Sequence, residues 1–243
     1  MNPEAKRITI HLLPPADGLP ADSHLAVIVD VLRASTTIAS SLVAGAKAVV
    51  PCLTVEDARS VATKHGALLG GERGGIKLDG FDFGNSPTEY TADAVAGKII
   101  AFTTTNGTRA LMQSRNAAEI VIGAFVNLTA VAEKCLATDA DLHIVCAGTD
   151  GVISAEDVLF AGLLAYRLCC SGRFQPANDA TQIAMDFSVA NAENPPRLLE
   201  AIRRSQGGRN LIKLGCDSDI EFAANIDRFD TVPSYDADAG EIR

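Results

Sequence analysis

Lys98-Ile-Ile-Ala-Phe102 followed by Thr103-Thr104-Thr105-Asn106-Gly107-Thr108-Arg109 is the stretch that sets the architecture. The apolar run reads as a buried strand. The three threonines are stiff at χ1 and poor helix formers, so they belong at the strand end and in the loop. Asn106-Gly107 is a turn signal because both residues tolerate positive φ. A helical pattern opens from Ala110. Strand, hydroxyl-rich turn and helix start place backbone N–H groups, the positive end of a helix dipole and Arg109 close together, an arrangement suited to an oxyanion such as phosphate. An ordinary βα turn with a capped helix reads equally well, for the segment is neither GxxxxGK[ST] nor GxGxxG.

The same alternation extends in both directions. Arg7 to Leu12, Leu25 to Val29, Ala48 to Val50, Glu119 to Ile122 and Leu142 to Cys146 read as strands. Leu25-Ala-Val-Ile-Val29 is apolar throughout, as a strand buried on both faces must be. Helices follow from about Val31 to Gly45, from a capping box at Thr54-Val-Glu-Asp57 to His65, and from Val126 to Leu136. Ser86-Pro87-Thr88-Glu89 and Ser154-Ala-Glu-Asp157 read as two further capping boxes, the latter opening a helix that stops at Gly172. Leu68-Leu69 reads as a short strand before a glycine-rich loop, Gly70 to Pro87. Beyond Gln175 the segments Asn178–Ala190, Pro196–Ser205 and Ile220–Asn225 read as helices, broken by Gly207-Gly208 and Gly215. Thr231 to Tyr235 returns one strand to the sheet. The expected fold is α/β, with a more helical C-terminal portion. A single domain over residues 1–243 is favoured, with two lobes, 1–172 and 173–243, as the alternative.

Composition narrows the function. Hydrophobic residues make up 47% of the 243 residues, with no Trp, so the core is built from Ala, Val, Leu and Ile. A net charge of −9 argues against nucleic acid or an anionic membrane as partner, and an anion site must be made locally by a few arginines. Met1-Asn-Pro-Glu-Ala-Lys6 lacks the apolar stretch of a signal peptide, and the apolar runs are too short to cross a bilayer. Six cysteines without a CxxC motif point to reduced thiols in the cytoplasm. Four histidines without ligand spacing argue against zinc.

Strand ends carry ligands in open α/β sheets. Four of them hold unusual residues here: Asp30 with Arg33, the Gly70–Pro87 loop with Glu72 and Arg73, Thr103 to Arg109, and Cys146 to Asp157. A carboxylate after an apolar strand, as at Asp30, needs a partner, a metal or water; Arg33 is its natural structural partner. Leu32 occupies the second place of a DxD pair, and Val152 the arginine place of a C-x5-R signature at Cys146. Ser86 and Asp157 read as caps, Glu72 and Arg73 as a surface pair, Cys146 as a buried thiol. The loop reads as a lid closing on substrate, or as a rigid segment packed by Phe81 and Phe83.

Five motifs, Val29-Asp-Val-Leu-Arg-Ala-Ser-Thr-Thr37, Leu69-Gly-Gly-Glu-Arg-Gly-Gly75, Phe83-Gly-Asn-Ser-Pro87, Thr103 to Arg109 and Val145-Cys-Ala-Gly148, together resemble the 2-phosphosulfolactate phosphatase family. Glu156-Asp157, Arg203-Arg-Ser205 and Asp227-Arg228 fit it too. The resemblance implies a three-layer α/β/α arrangement around a mixed sheet. It also implies Mg2+-dependent hydrolysis of the phosphate ester of sulfolactate, a step of coenzyme M synthesis. Another small anionic phosphoester as substrate, or a non-enzymatic anion-binding protein, are the alternatives, and a homodimer is left open. Asp30, Arg33, Glu72 and Arg73 are the catalytic candidates. Asn85, Ser86, the turn Thr104, Thr105, Asn106, Gly107, Thr108 with Arg109, and Cys146 with Gly148 are the substrate-binding ones. Asp30, Glu72, Glu156 and Asp157 are the carboxylates available to Mg2+, which takes oxygen ligands. Asp30 as metal ligand, base or nucleophile stays open.

Overall fold

The computed structural model describes residues 5–192 and 194–243; residues 1–4, on which most of the signal-peptide reading falls, lie outside them. The chain runs β1 (Lys6–His11), β2 (Leu25–Val29), α1 (Ala34–Val43), β3 (Ala48–Pro51), α2 (Val55–His65), β4 (Leu68–Arg73) and β5 (Ile76–Lys77). It continues with α3 (Ala92–Val95), β6 (Ile99–Thr103), α4 (Gly107–Gln113), β7 (Glu119–Gly123), α5 (Leu128–Leu136), β8 (Leu142–Cys146), α6 (Ala155–Cys170) and β9 (Phe174–Pro176). Four helices follow, α7 (Asp179–Asn191), α8 (Pro195–Arg204), α9 (Gln206–Lys213) and α10 (Asp217–Ala223), then β10 (Ser234–Asp236) and β11 (Glu241–Ile242).

The strands form one mixed sheet in the order β5-β4-β6-β3-β11-β10-β7-β2-β8-β1-β9. β7, β2, β8, β1 and β9 pair in parallel, as do β3, β6 and β4. The hairpin of β10 and β11 joins the two blocks, antiparallel to its neighbour on each side. The expected single return strand is therefore one half of a hairpin.

β2 lies inside the sheet with every residue buried. Leu25, Val27 and Val29 join one core with residues of α5, α6 and α7; Ala26 and Ile28 join the other, with residues of α1, α3 and α4. Two apolar faces explain the unbroken apolar run, and two covered faces make the three-layer α/β/α fold. Full burial of each Val, Leu or Ile here is worth roughly 1.5–3 kcal/mol. Leu198, Leu211 and Ile220 from the C-terminal helices enter the first core.

Local signals hold unless a distant group takes the same atoms. Thr54 forms its capping box: its side chain accepts from Asp57 N, and Asp57 Oδ2 accepts from Thr54 N. Ser86 and Ser154 make no side-chain cap. α4 begins at Gly107 instead of Ala110. Gly207 and Gly208 sit inside α9 instead of breaking it. The first part of the glycine-rich loop is sheet: β4 runs on through Glu72 to Arg73 and turns back into β5 through Gly74 and Gly75, at φ 59° and 81°. Both turn residues having positive φ is the demand that selects the glycine pair. Phe81 is buried, and Phe83 N–H donates to Leu69 O at 3.0 Å, so the far end of the segment packs back against β4.

Candidate active site

A cavity of about 350 Å3 opens where β2, β4, β6 and β8 end. Asp30 and Arg33 enter it from β2, Glu72 from β4, Thr105 and Asn106 from β6, and Thr149 and Asp150 from β8. One face of α9, carrying Gly207, Asn210, Leu211 and then Leu214, forms the opposite wall together with Lys213. The four strand ends singled out in the sequence thus converge, as open α/β sheets require.

Asp30 directly follows β2, one turn ahead of α1. Its Oδ1 accepts from Ala34 N at 3.2 Å, while its own N–H donates to Ser35 Oγ at 2.9 Å. Among the described residues no donor reaches Oδ2, the oxygen facing Gly107. A Cβ on Gly107 would lie 2.7 Å from it, so glycine there keeps this oxygen clear. Burial, with Glu72 and Glu156 nearby, pushes the Asp30 carboxyl up to about 7, against the pull of the Ala34 N–H and Arg33.

Arg33 is not the partner of Asp30. Its Nη1 donates to Asp219 Oδ2 at 2.8 Å and its Nη2 to Gly75 O at 2.7 Å, with both members of the ion pair almost fully buried. Asp219 Oδ1 also accepts from Ser86 Oγ at 2.6 Å, which is why Ser86 caps nothing. Glu72 is no surface residue either: Oε1 accepts from Thr105 N–H (2.9 Å) and Thr105 Oγ1 (3.1 Å), and Oε2 from Gly75 N–H (2.7 Å). This carboxylate clips the β4–β5 turn to the β6–α4 loop. Glu72→Ala is expected to cost at least about 1.5–3 kcal/mol, the worth of one charged hydrogen bond, and to be read as a lower denaturation midpoint. An unchanged midpoint would show that the clip carries no load.

Asp157 and Glu156 lie behind the cavity. Asp157 Oδ1 accepts from Val31 N–H at 2.8 Å and Oδ2 from Gly148 N–H at 3.0 Å, tying the β2 and β8 loops together. Its apparent cap is therefore a tertiary tie, and burial with Glu156 and Asp30 beside it holds its carboxyl well above the usual range. Burial also raises Glu156, partly offset by the Ser205 hydroxyl and the Gly207 N–H. Glu156 Oε2 is buried without a hydrogen-bond partner. A Cβ on Gly207 would fall 2.0 Å from Glu156 Oε1, so close approach of α9 is the reason for glycine at that point.

Of the four carboxylates considered for Mg2+, Glu72 and Asp157 commit both oxygens to N–H and O–H donors. Among the described residues no three His, Cys, Asp or Glu side chains are grouped to hold a metal. Asp30 and Glu72 line the cavity, whereas Glu156 and Asp157 are not among its lining residues. Magnesium fits such a set because it takes one or two carboxylates and fills its other positions with phosphate and water oxygens.

Several expected contacts lie elsewhere. Arg109 is exposed on α4 and does not line the cavity. Arg73 donates from Nη1 to Glu72 O at 2.7 Å and from Nη2 to Thr103 Oγ1 at 2.9 Å, pinning β4 to β6. Cys146 is fully buried in the core, its thiol pushed up by burial and by Asp157 and Glu156, and Gly148 serves the Asp157 tie. Thr104 and Thr108 bond each other, 3.3 Å apart, across the start of α4. Asn85, Thr105 and Asn106 do reach the cavity. Asp219, Asn210 and Lys213 escaped the sequence reading. The spacing Gly207, Asn210, Leu211, Leu214 marks one helical face, but reading Gly207-Gly208 as a break hid it.

Residues 13–238 match the family model described as 2-phosphosulpholactate phosphatase. A protein of Carboxydothermus hydrogenoformans named probable 2-phosphosulfolactate phosphatase is 39% identical over 223 residues, covering 91% of this chain and 90% of its own. One of the same name from Deinococcus radiodurans is 39% identical over 247 residues, 98% of each chain. Another, from Thermotoga petrophila, is 40% identical over 217 residues, 88% of this chain and 90% of its own. With a family model spanning most of the sequence and relatives aligned along nearly all of it, the chain belongs to the 2-phosphosulfolactate phosphatase family.

Proposed function

We propose that this chain is a phosphoric monoester hydrolase that converts 2-phosphosulfolactate to sulfolactate and phosphate, with magnesium as cofactor, as in a coenzyme M-type pathway of the cytoplasm. The observation that carries the reading is the cavity itself, where the open Asp30 Oδ2 and the buried Arg33 share one wall. Among the described residues no helix is long and apolar enough to cross a membrane.

The substrate carries a phosphate, a sulfonate and a carboxylate, so it needs several donors inside a protein that is acidic overall. Arg33, Lys213, Asn85, Asn106 and Asn210 bring donors to the cavity. Hydrolysis of a phosphate ester depends chiefly on positioning and on charge stabilisation. Arg33, fixed by Asp219 and Gly75, keeps its remaining N–H groups aimed without reorganisation. Asp30 Oδ2 would hold magnesium, which when bound supplies charge neutralisation at the phosphoryl oxygens. Leu211 and Leu214 of the α9 wall add apolar surface beside these donors, and charge contacts strengthen as the local dielectric falls.

Phosphate release from 2-phosphosulfolactate is the test. Turnover is expected with magnesium, a large loss after EDTA, and recovery when magnesium is restored. No phosphate release with any divalent cation would overturn the activity. Full activity in EDTA would overturn the cofactor alone.

A further inference from the structure

The cavity adjoins a second compartment of about 330 Å3, and Arg33, Gly75, Asn85 and Leu214 line both. Past that shared wall the second compartment is bounded by Lys77, Ser86 and Glu89 on one side and Cys216, Ser218 and Asp219 on the other. Asn85 is 5% exposed. Its backbone carbonyl accepts from Thr37 Oγ1 at 2.9 Å, which fixes the main chain. Its side-chain Oδ1 is buried and has no hydrogen-bond partner. A buried amide oxygen without a partner is unfavourable, and in a native fold it calls for a reason. With the oxygen turned inward, the amide's N–H2 end is left for the shared wall. Arg33 stands at the same wall with two of its five N–H donors engaged, by Asp219 and Gly75. The wall between the compartments is thus a pair of fixed donors, one charged and one neutral, suited to an anionic oxygen.

We propose that Asn85 is a specificity-determining residue: it reads an acid group of the substrate other than the phosphate, so that the favoured ligand spans both compartments. The identity of that ligand as sulfolactate and its phosphate ester rests on the proposed phosphatase reading. On this assignment a ligand with no acid group beyond the phosphate rests against Asp30, Thr105 and Asn106 in the first compartment and leaves Asn85, at the shared wall, unused. Asn85→Asp is nearly isosteric but replaces the N–H2 donor by an anionic acceptor, a repulsive element aimed at the second acid. Asn85→Ser removes the amide without adding charge.

Binding, which needs no turnover, is the measurement: calorimetric titration of sulfolactate and, separately, of inorganic phosphate into wild type and both variants. Asn85→Asp is expected to weaken sulfolactate by about 10- to 150-fold, the loss of one charge-assisted hydrogen bond, and Asn85→Ser to fall at or below that range. Phosphate affinity should change by less than about threefold in both, which also shows that the variants are folded. Equal losses for the two ligands, no loss for sulfolactate, or no sulfolactate binding by wild type would each overturn the assignment. Sulfolactate binding without any phosphate release from its ester would instead count against the phosphatase activity and leave the role of Asn85 standing.

Discussion

Asp30→Asn is expected to abolish turnover and to make the metal-free protein more stable at pH 8. The asparagine keeps an oxygen for Ala34 N–H but loses the charge at Oδ2. If that oxygen holds the cofactor, several kcal/mol of charge stabilisation disappear; 4 kcal/mol corresponds to about a thousandfold in rate. The stability effect has the opposite sign. The Asp30 carboxyl is pushed up to about 7 in the fold, against 3.8 for an ordinary aspartate, chiefly because it is buried. Its favourable contribution is fully present below about pH 4 and is lost as pH rises through 7, on the order of 4 kcal/mol for the roughly three units between. Unfolding followed in EDTA should therefore show wild type losing stability from pH 4 to pH 8, with a clearly shallower slope for Asp30→Asn. Magnesium at pH 8 should raise the wild-type midpoint and leave the variant unmoved, because a ligand stabilises only the state that binds it. A variant with both wild-type turnover and the wild-type pH slope would remove Asp30 from the site.

The fold was more legible than the site. Strand runs such as Leu25 to Val29 and Leu142 to Cys146 are bounded in the structure where the apolar pattern places them, because an interior strand covered on both faces stays apolar for its whole length and no further. The site is made of long-range choices that no local pattern encodes. Three segments carried the Ser/Thr-x-x-acid signature, and only Thr54 caps its helix. The Ser86 hydroxyl goes to Asp219, 133 residues away in sequence, and the Asp157 carboxylate to Val31 and Gly148. Buried carboxylates and hydroxyls take whichever donor the packing presents, and the gain from satisfying a buried group exceeds that of an exposed cap.

The same limit explains the arginines. Arg33, Arg73 and Arg109 all follow strands and look alike in sequence. Arg109 lies on the exposed side of α4, whose opposite face supplies Ala110 and Leu111 to the core. Arg73 is at the end of β4, where its guanidinium reaches back to Thr103 instead of into the cavity. Only Arg33 is carried inward, and its carboxylate comes from Asp219 of α10, a helix that begins at Asp217, three residues before the Ile220 expected from sequence.

Splitting the Arg33–Asp219 pair is expected to be the most destabilising change of those considered. Both side chains are almost fully buried, and leaving either charge without its partner costs about 3–5 kcal/mol. At roughly 2–4 °C per kcal/mol for a domain of this size, the melting midpoint should fall by about 6–20 °C in Arg33→Met or Asp219→Leu. In the double variant no unpaired charge remains, and two apolar side chains of similar volume fill the space. Stability should then recover much of the loss, giving a coupling well above the roughly 0.5 kcal/mol seen for independent sites. Activity should not recover with it. Arg33 also faces the cavity, so each charge-assisted hydrogen bond it gives to an anionic substrate is worth about 10- to 150-fold, and both variants lacking it should stay impaired after stability returns. Strictly additive stability losses would mean that the pair contributes little as a pair. Near-wild-type turnover in a restored double variant would confine Arg33 to the scaffold and hand anion binding to Lys213 and the asparagines of the cavity.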